Sequence, residues 1–191
     1  MFIEAIVIGF IVAIFRKGKI RNIENLHING WYLFIVAGLI QVSISWLKSK
    51  NQLLGPEFFD KYFVYVHLLT YLLMIVGVIL NIRKNFMRFI LIGMLLNFIV
   101  IFANGGKMPV SFKNVKGYEN YTEDMLDKSD IKHSLVTEDT KFVYLADVIV
   151  LPRPYPLARI ISIGDIFLMI GVFLFFQESM VKKKWDFQLF S

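Results

Sequence analysis

Two aspartates, Asp147 and Asp165, flank a proline-rich stretch in an otherwise apolar part of the chain. Pro152, Pro154 and Pro156 lie between them and rule out one continuous helix, so the chain can turn and bring the two carboxyl groups together. Two neighbouring carboxyl groups in a partly dry site share one proton. One can then activate a water as general base while the other donates to a carbonyl oxygen, which is the chemistry of an aspartyl hydrolase.

A structural interpretation of the same residues stays open beside this one. Ser162, three residues before Asp165 and followed by an apolar run, forms a capping-box pattern in which the carboxylate serves a helix start. Asp147 can pair with Arg153 or Arg159. These two arginines are otherwise expected to contact lipid headgroups, a bound phosphate or an acidic group of a substrate.

Polar residues within apolar segments are costly in lipid and therefore informative. Gln41, His67 and Asn97 each lie about six residues from the predicted outer end of their segment, or roughly 9 Å at the rise of an α-helix. Asp165 and Ser162 enter from the same side, so these side chains are expected to line one pocket. The alternative is that Gln41 and Asn97 only form hydrogen bonds between helices.

The elements that must position these residues follow from composition. The chain is 57% hydrophobic and 19% charged with a mean hydropathy of +0.60, which is more apolar than a soluble domain of its size can bury. It has no cysteine, and its histidines His27, His67 and His133 lie far apart in sequence, so we expect no metal site and no cofactor. The net charge is +6, but the basic residues cluster beside apolar runs, which argues against nucleic acid as a partner.

Five apolar segments predict an all-α polytopic membrane protein with five transmembrane helices in one domain, 1–191. A helix that crosses the hydrocarbon needs about 20 residues, so the first segment is short and the others are long enough. Basic residues follow the first segment, as expected for a retained anchor rather than a signal peptide. The segments are 1–15, 29–47, 61–81, 86–103 and 160–181.

The basic residues set the predicted orientation. With the N-terminus outside and the C-terminus inside, the inner connections hold Arg16, Lys17, Lys19, Arg21, Arg83, Lys84, Arg88, Lys182, Lys183 and Lys184, against Lys48, Lys50 and Lys61 outside. Residues 104–159 then form a long extracytoplasmic segment. Within it, residues 142–152 are expected to be re-entrant or interfacial, or a surface strand, and Asn104 and Lys107 are expected near the entrance of the pocket as substrate or lipid contacts.

Two resemblances extend these expectations. NGGKMPVS at 104–111, LADVIVLPRP at 145–154 and SIGDIFLMIG at 162–171 resemble an uncharacterised family of bacterial integral membrane proteins, a domain of unknown function. This likeness covers nearly the whole chain. It implies a multi-pass protein of the bacterial cytoplasmic membrane and no particular activity.

YLADVIVL followed by IISIGDIFLMIGVFLFF is similar to the C-terminal half of lipoprotein signal peptidase, a membrane aspartyl protease. In that family a V-V-D-F-I block and an F-N-x-A-D block supply the catalytic pair, and the resemblance implies that Asp147 and Asp165 match them. Ser162 and Gly164 stand where that family has asparagine and alanine, and its N-x-x-D-R block is not present although Asn97 and Asn104 lie near its place.

Two functions are therefore expected from different classes. One is a membrane aspartyl hydrolase that uses Asp147 and Asp165 on a membrane-embedded peptide or lipid. The other is a non-enzymatic accessory subunit, or a protein that binds a lipid or small ligand, on the same scaffold. Membrane lipid is a partner under both.

Overall fold

The computed structural model describes residues 2–50, 55–112, 133–151 and 159–181. The described residues form five α-helices. They are α1 (Phe2–Phe15), α2 (Trp31–Lys50), α3 (Gly55–Ile79), α4 (Asn85–Ala103) and α5 (Ile163–Met180). Each contains most of one apolar segment of the sequence, and α3 begins six residues before the segment predicted at 61–81.

Three of the helices are long enough and apolar enough to cross a membrane: Tyr62–Ile79, Asn85–Ala103 and Ile163–Met180. Ile3–Phe15 and Trp31–Ile44 are shorter apolar stretches. All the helices expose large apolar side chains, such as Ile8 on α1 and Leu39 on α2. A mainly helical structure with apolar surfaces is what lipid requires, since every backbone polar group in the hydrocarbon must be bonded within the protein.

Short strands close one end of the helices. Strand β1 (Met108–Val110) pairs in parallel with β2 (His133–Leu135), and β3 (Ile149–Leu151) pairs antiparallel with β4 (Arg159–Ile161). An isolated bridge between Val110 and Asp147 links the two pairs.

The position of β4 corrects the predicted start of the fifth helix at 160. Ile160 and Ile161 pair with β3, and the helix begins only after Ser162 because that residue caps it. In the stretch 142–152, residues 143–145 form a 3-10 turn and β3 follows, so its last part takes the surface-strand alternative rather than a re-entrant helix.

Helices α4 and α5 pack closely because glycines line their contact. A Cβ atom on Gly93 would meet the backbone of Gly164, and one on Gly171 would meet the backbone of Phe86. Helix α1 packs on the other side of α5 through Gly9, and α2 packs against α3. The largest buried side chains of the core, such as Phe86 and Val78, lie between α3, α4 and α5.

At the end of the structure opposite the strands, polar contacts join the ends of the helices. The Lys19 amide donates to the Met180 carbonyl at 3.0 Å, and Arg16 Nη1 donates to Gln177 Oε1 at 2.8 Å. The Asn29 amide donates to Asn81 Oδ1 at 2.9 Å, which ties the start of α2 to the end of α3. The basic residues that follow α1 and those between α3 and α4 therefore lie at this end, which we call the basic end, and the aspartates lie at the other, the strand end.

Replacing Gly164 by alanine is expected to destabilise the protein by about 1–3 kcal/mol, because the new methyl group would collide with the Asn97 amide and force α4 and α5 apart. Unfolding of the purified protein in detergent, followed by circular dichroism, measures the effect. Gly38→Ala is the matched control, since a Cβ there meets nothing within 4 Å. Equal stability of the two variants would contradict the close packing of α4 on α5.

Candidate functional site

The carboxylate of Asp165 is held in place at the first turn of α5. Its Oδ2 accepts a hydrogen bond from the Ser162 amide at 3.1 Å, and its own amide donates to Ser162 Oγ at 3.0 Å. The predicted capping box is thus confirmed. The exposed amides at the start of α5 are satisfied, and the negative charge lies at the positive end of the helix dipole.

Asn97 on α4 joins this cap from the side. Its Nδ2 donates to Asp165 Oδ1 at 3.1 Å, and its Oδ1 accepts from Ser162 Oγ at 3.0 Å. The three buried residues therefore form a closed network, in which the Asn97 side chain bonds the side chains of Ser162 and Asp165, and these two residues bond each other through their backbone amides. The absence of a side chain on Gly164 makes room for the Asn97 amide. The network orients Asp165 rigidly towards the strand end.

Asp147 reaches the same region from the strands. Its amide donates to the Pro109 carbonyl at 3.0 Å, and its carbonyl accepts from the Ser111 amide at 2.9 Å, so the backbone is fixed beside β1. Its side chain is only 8% exposed, and its Oδ1 has no hydrogen-bond partner within the described part of the chain. A buried polar atom is unfavourable without a hydrogen-bond partner, and none of the described residues supplies one to this oxygen.

The two carboxyl groups interact. Burial raises the pKa of Asp147 from 3.8 to about 7, and the charge of Asp165 contributes to the same rise. Asp147 is therefore protonated in much of the population near neutral pH, while Asp165 accepts hydrogen bonds at both of its oxygens. A proton donor and a proton acceptor within electrostatic range of each other are the two groups that general acid–base catalysis uses.

Tyr71 on α3 is a residue of this site that the sequence interpretation missed. It packs against the cluster that contains Ala146 and Val148, the two neighbours of Asp147 in the chain. It is also within electrostatic range of both Asp147 and Asp165. Its position four residues after His67, on the same face of α3, is the one signal in the sequence that could have identified it.

Gln41 and His67 form a second polar pair. Gln41 Nε2 and His67 Nδ1 are 3.0 Å apart, and the imidazole stacks on Phe63 at 5.0 Å between ring centroids. Tyr71 meets the other side of this imidazole at 5.0 Å. The polar residues predicted to share one pocket are therefore found in two groups, Gln41 with His67 and Asn97 with Ser162 and Asp165. Tyr71 contacts His67 of the first group and lies within electrostatic range of Asp165 of the second.

The residues predicted at the entrance have different surroundings. Asn104 bonds the backbone of Lys141 through both its Oδ1 and its Nδ2, at 2.9 Å each, so it ties the end of α4 to the turn before β3. Lys107 is half-buried just before β1. Arg153 lies outside the described residues, and Arg159 is described only by its backbone in β4.

Among the described residues, no group of three or more histidine, aspartate or glutamate side chains could hold a metal ion. Asp165 lies in the first turn of α5, Asp147 lies two residues before β3, and Tyr71 lies in the second half of α3.

The fold and site define a helical protein of membrane type with a buried pair of carboxyl groups at one end. The chain belongs to a family of unknown function, DUF5317, whose sequence profile matches residues 25–177. This confirms the resemblance to an uncharacterised family, and the matched range contains all the residues of the site but not α1.

One relative is similar over nearly the whole chain. An uncharacterized protein of Thermotoga maritima is 30% identical over 176 residues, which cover 92% of this chain and 90% of that protein. No solved structure matches the chain significantly.

Proposed function

We propose that the protein spans the cytoplasmic membrane several times, with its N-terminus outside and its strand end on the outer face. Support comes from the basic end, where Arg16, Lys19 and Lys84 lie close to the ends of α1, α3 and α5. Basic residues favour the cytoplasmic side of a membrane protein. In this orientation the two aspartates face the extracytoplasmic side.

The proposed activity is that of an aspartyl hydrolase. The observation that carries it is the buried Asp147 carboxyl group. Its Oδ1 has no partner among the residues that the structure describes, and it lies within electrostatic range of an Asp165 carboxylate that is already held by Ser162 and Asn97. A structural carboxyl group at this position would be expected to have a partner for each oxygen. A carboxyl group that binds a water or a substrate would keep one oxygen available for it.

In the proposed reaction Asp165 accepts a proton from a water while the oxygen of that water bonds to the carbonyl carbon. Asp147 donates its proton to the carbonyl oxygen, which yields a neutral tetrahedral diol. When the diol collapses, Asp165 returns its proton to the leaving nitrogen or oxygen, the bond to the leaving group breaks, and one hydroxyl returns a proton to Asp147. The products are a carboxylic acid and an amine or alcohol, and both aspartates regain their starting states.

The proposed substrate is a membrane-embedded peptide or lipid that approaches from the outer leaflet. Both substrate types carry an acyl group next to apolar chains, and the site lies at the mouth of apolar helices. Lys107, Arg153 and Arg159 are proposed contacts for an acidic group of the substrate, while Asn104 shapes the entrance by holding Lys141. The similarity to lipoprotein signal peptidase in the sequence around Asp147 and Asp165 supports the same chemistry.

A second candidate is a protein that binds a lipid or small ligand at the same site, or an accessory subunit. It is favoured by the complete capping box, because Asp165 has a sufficient structural role in α5 without any catalysis. In this case the protonated Asp147 donates a hydrogen bond to an acceptor on the ligand.

The test is hydrolysis in water labelled with oxygen-18. The protein in lipid nanodiscs is incubated with a phospholipid mixture and synthetic membrane-spanning peptides, and mass spectrometry detects the heavy oxygen in each new carboxyl group. We expect labelled products with the wild type and with Asp139→Asn, a control at an exposed acid of the same outer segment. No labelled product above an empty-nanodisc control would contradict the hydrolase and leave the binding protein.

A further inference from the structure

An apolar cavity lies at the basic end, far along the helices from the aspartates. Its volume is about 420 Å³, which is within the usual range for a bound small molecule, roughly 300–1,000 Å³. The lining comes from the start of α2, the start of α4 and the second half of α5, and includes Trp31, Phe34, Met87, Ile90, Val172 and Phe175.

The cavity borders an exposed apolar face of α2. Trp31 and Ile35 on its rim are more than half exposed, with 59% and 51% of their surfaces accessible, on a helix face that carries other exposed apolar side chains. Helix α2 packs mainly against α3, so its first turns stand away from α4 and α5 and leave this gap. In a bilayer the substance beside such an opening is the acyl chain of a lipid.

Basic residues lie close in the chain to one side of the cavity. Ile28 of the lining is followed by Asn29, which exchanges two hydrogen bonds with Asn81, at 2.9 and 2.7 Å. Lys84 Nζ donates to the same Asn81 at 3.1 Å, two residues before Phe86 of the lining. Arg83 and Arg88 are exposed next to it in sequence. The connection between α3 and α4, residues 80–84, contains no acidic residue.

We infer that this cavity binds one acyl chain of an anionic phospholipid from the leaflet at the basic end, with its phosphate beside Lys84. The apolar walls match the chain, and the ammonium group matches the headgroup charge. The inference rests on the multi-pass placement proposed above and is independent of the aspartate chemistry.

Trp31 provides the measurement, because it lines the cavity and brominated acyl chains quench tryptophan fluorescence on contact. Trp46→Phe and Trp185→Phe leave Trp31 as the single tryptophan of the chain. This protein in phosphatidylcholine nanodiscs is titrated with either dibrominated phosphatidylglycerol or dibrominated phosphatidylcholine. We expect half-maximal quenching at about fivefold lower content of the anionic lipid, the preference that one basic residue near the membrane surface confers.

Two kinds of variant separate the cavity from ordinary surrounding lipid. Val172→Phe fills the cavity and is expected to abolish the preference, and Ile35→Phe repeats the test from α2 if the first variant folds poorly. Lys84→Gln keeps a hydrogen-bond donor for Asn81 and is expected to reduce the preference. Lys19→Gln, beside Met180 at the same end and not part of the cavity lining, is expected to retain it.

Equal quenching by the two lipids would overturn the inference, and so would an undiminished preference in both filled variants. Incorporation into nanodiscs without any quenching would overturn it as well, while the placement in the membrane would stand. A protein that failed to enter nanodiscs would instead contradict the multi-pass placement itself.

Discussion

Asp147→Asn is expected to make the folded protein more stable at pH 8 while it lowers any hydrolytic rate by about 10²–10⁴-fold. Burial and the neighbouring Asp165 raise the pKa of Asp147 to about 7 in the folded protein, against 3.8 for the ordinary group. Between these two values the folded state holds a proton that the unfolded state releases. Stability from this group is therefore fully present below pH 4 and is lost as the pH rises through about 7.

The size of this effect is at most about 4 kcal/mol, the free energy that corresponds to the difference between the two pKa values. An asparagine stays neutral, so the variant loses this pH dependence and gains most at pH 8. Denaturation in mixed detergent micelles at pH 4.5 and pH 8 measures the effect, with the exposed Asp139→Asn as control. A wild type whose stability does not change over this range would contradict the burial of an unpartnered Asp147.

The pH profile of the activity provides an independent check on the same group. If Asp147 is the acid of the pair, the hydrolytic rate falls as the pH rises through about 7, because the proton donor is lost. A rate that increased steadily through pH 8 would assign the donor role to another group. A ligand-binding protein would show the same pH limit in affinity and no labelled product.

Asp165→Asn is expected to have the opposite effect on stability, a loss of about 1–3 kcal/mol. The two oxygens of Asp165 accept from two donors, the Ser162 amide and Asn97 Nδ2. An asparagine offers one oxygen and one NH₂ group, so one of these donors would face another donor in a buried position. The exposed amides at the start of α5 would also lose a negative partner.

Unfolding in detergent measures this loss, and Ser162→Ala is the matched comparison because it removes a side-chain cap worth about 1 kcal/mol and keeps the carboxylate. The hydrolytic rate of Asp165→Asn is expected to fall as far as that of Asp147→Asn. The two variants thus distinguish the roles of the two aspartates. Both are expected to lower the hydrolytic rate, but Asp147→Asn stabilises the folded protein and Asp165→Asn destabilises it. If Asp165→Asn kept wild-type stability, the network with Asn97 would not be as described.

Some features of the site follow from residues close together in the sequence. The capping box needs only Ser162, Asp165 and an apolar run after them, and it is present as the pattern predicts. The apolar segments predict helices at nearly their observed positions, because hydropathy is a property of consecutive residues. The strand β4 shows the limit of this approach, since an apolar pair such as Ile160 and Ile161 suits a helix or a strand equally well.

The grouping of the polar residues depends on contacts between distant segments. Their depth in the helices predicts that Gln41, His67 and Asn97 lie at similar levels, but not which helices are neighbours. Helix α2 packs on α3, so Gln41 meets His67, whereas α4 packs on α5, so Asn97 meets Asp165. Tyr71 was missed for the same reason, because a tyrosine on an apolar helix is ordinary until its neighbours are known.

The sequence by itself determined the class of protein, its apolar helices, the basic end and the cap of α5, because each depends on composition or on residues within one helical turn. Tertiary structure alone decided that the Asp147 side chain is buried with no partner for Oδ1 among the described residues, and that Asp165 lies within electrostatic range of it. It also decided that a gap remains between α2 and the α4–α5 pair. The physical reason is that burial, pKa and cavity shape all depend on the neighbours of a residue in space. Strand pairing and helix packing bring these neighbours together from remote parts of the chain.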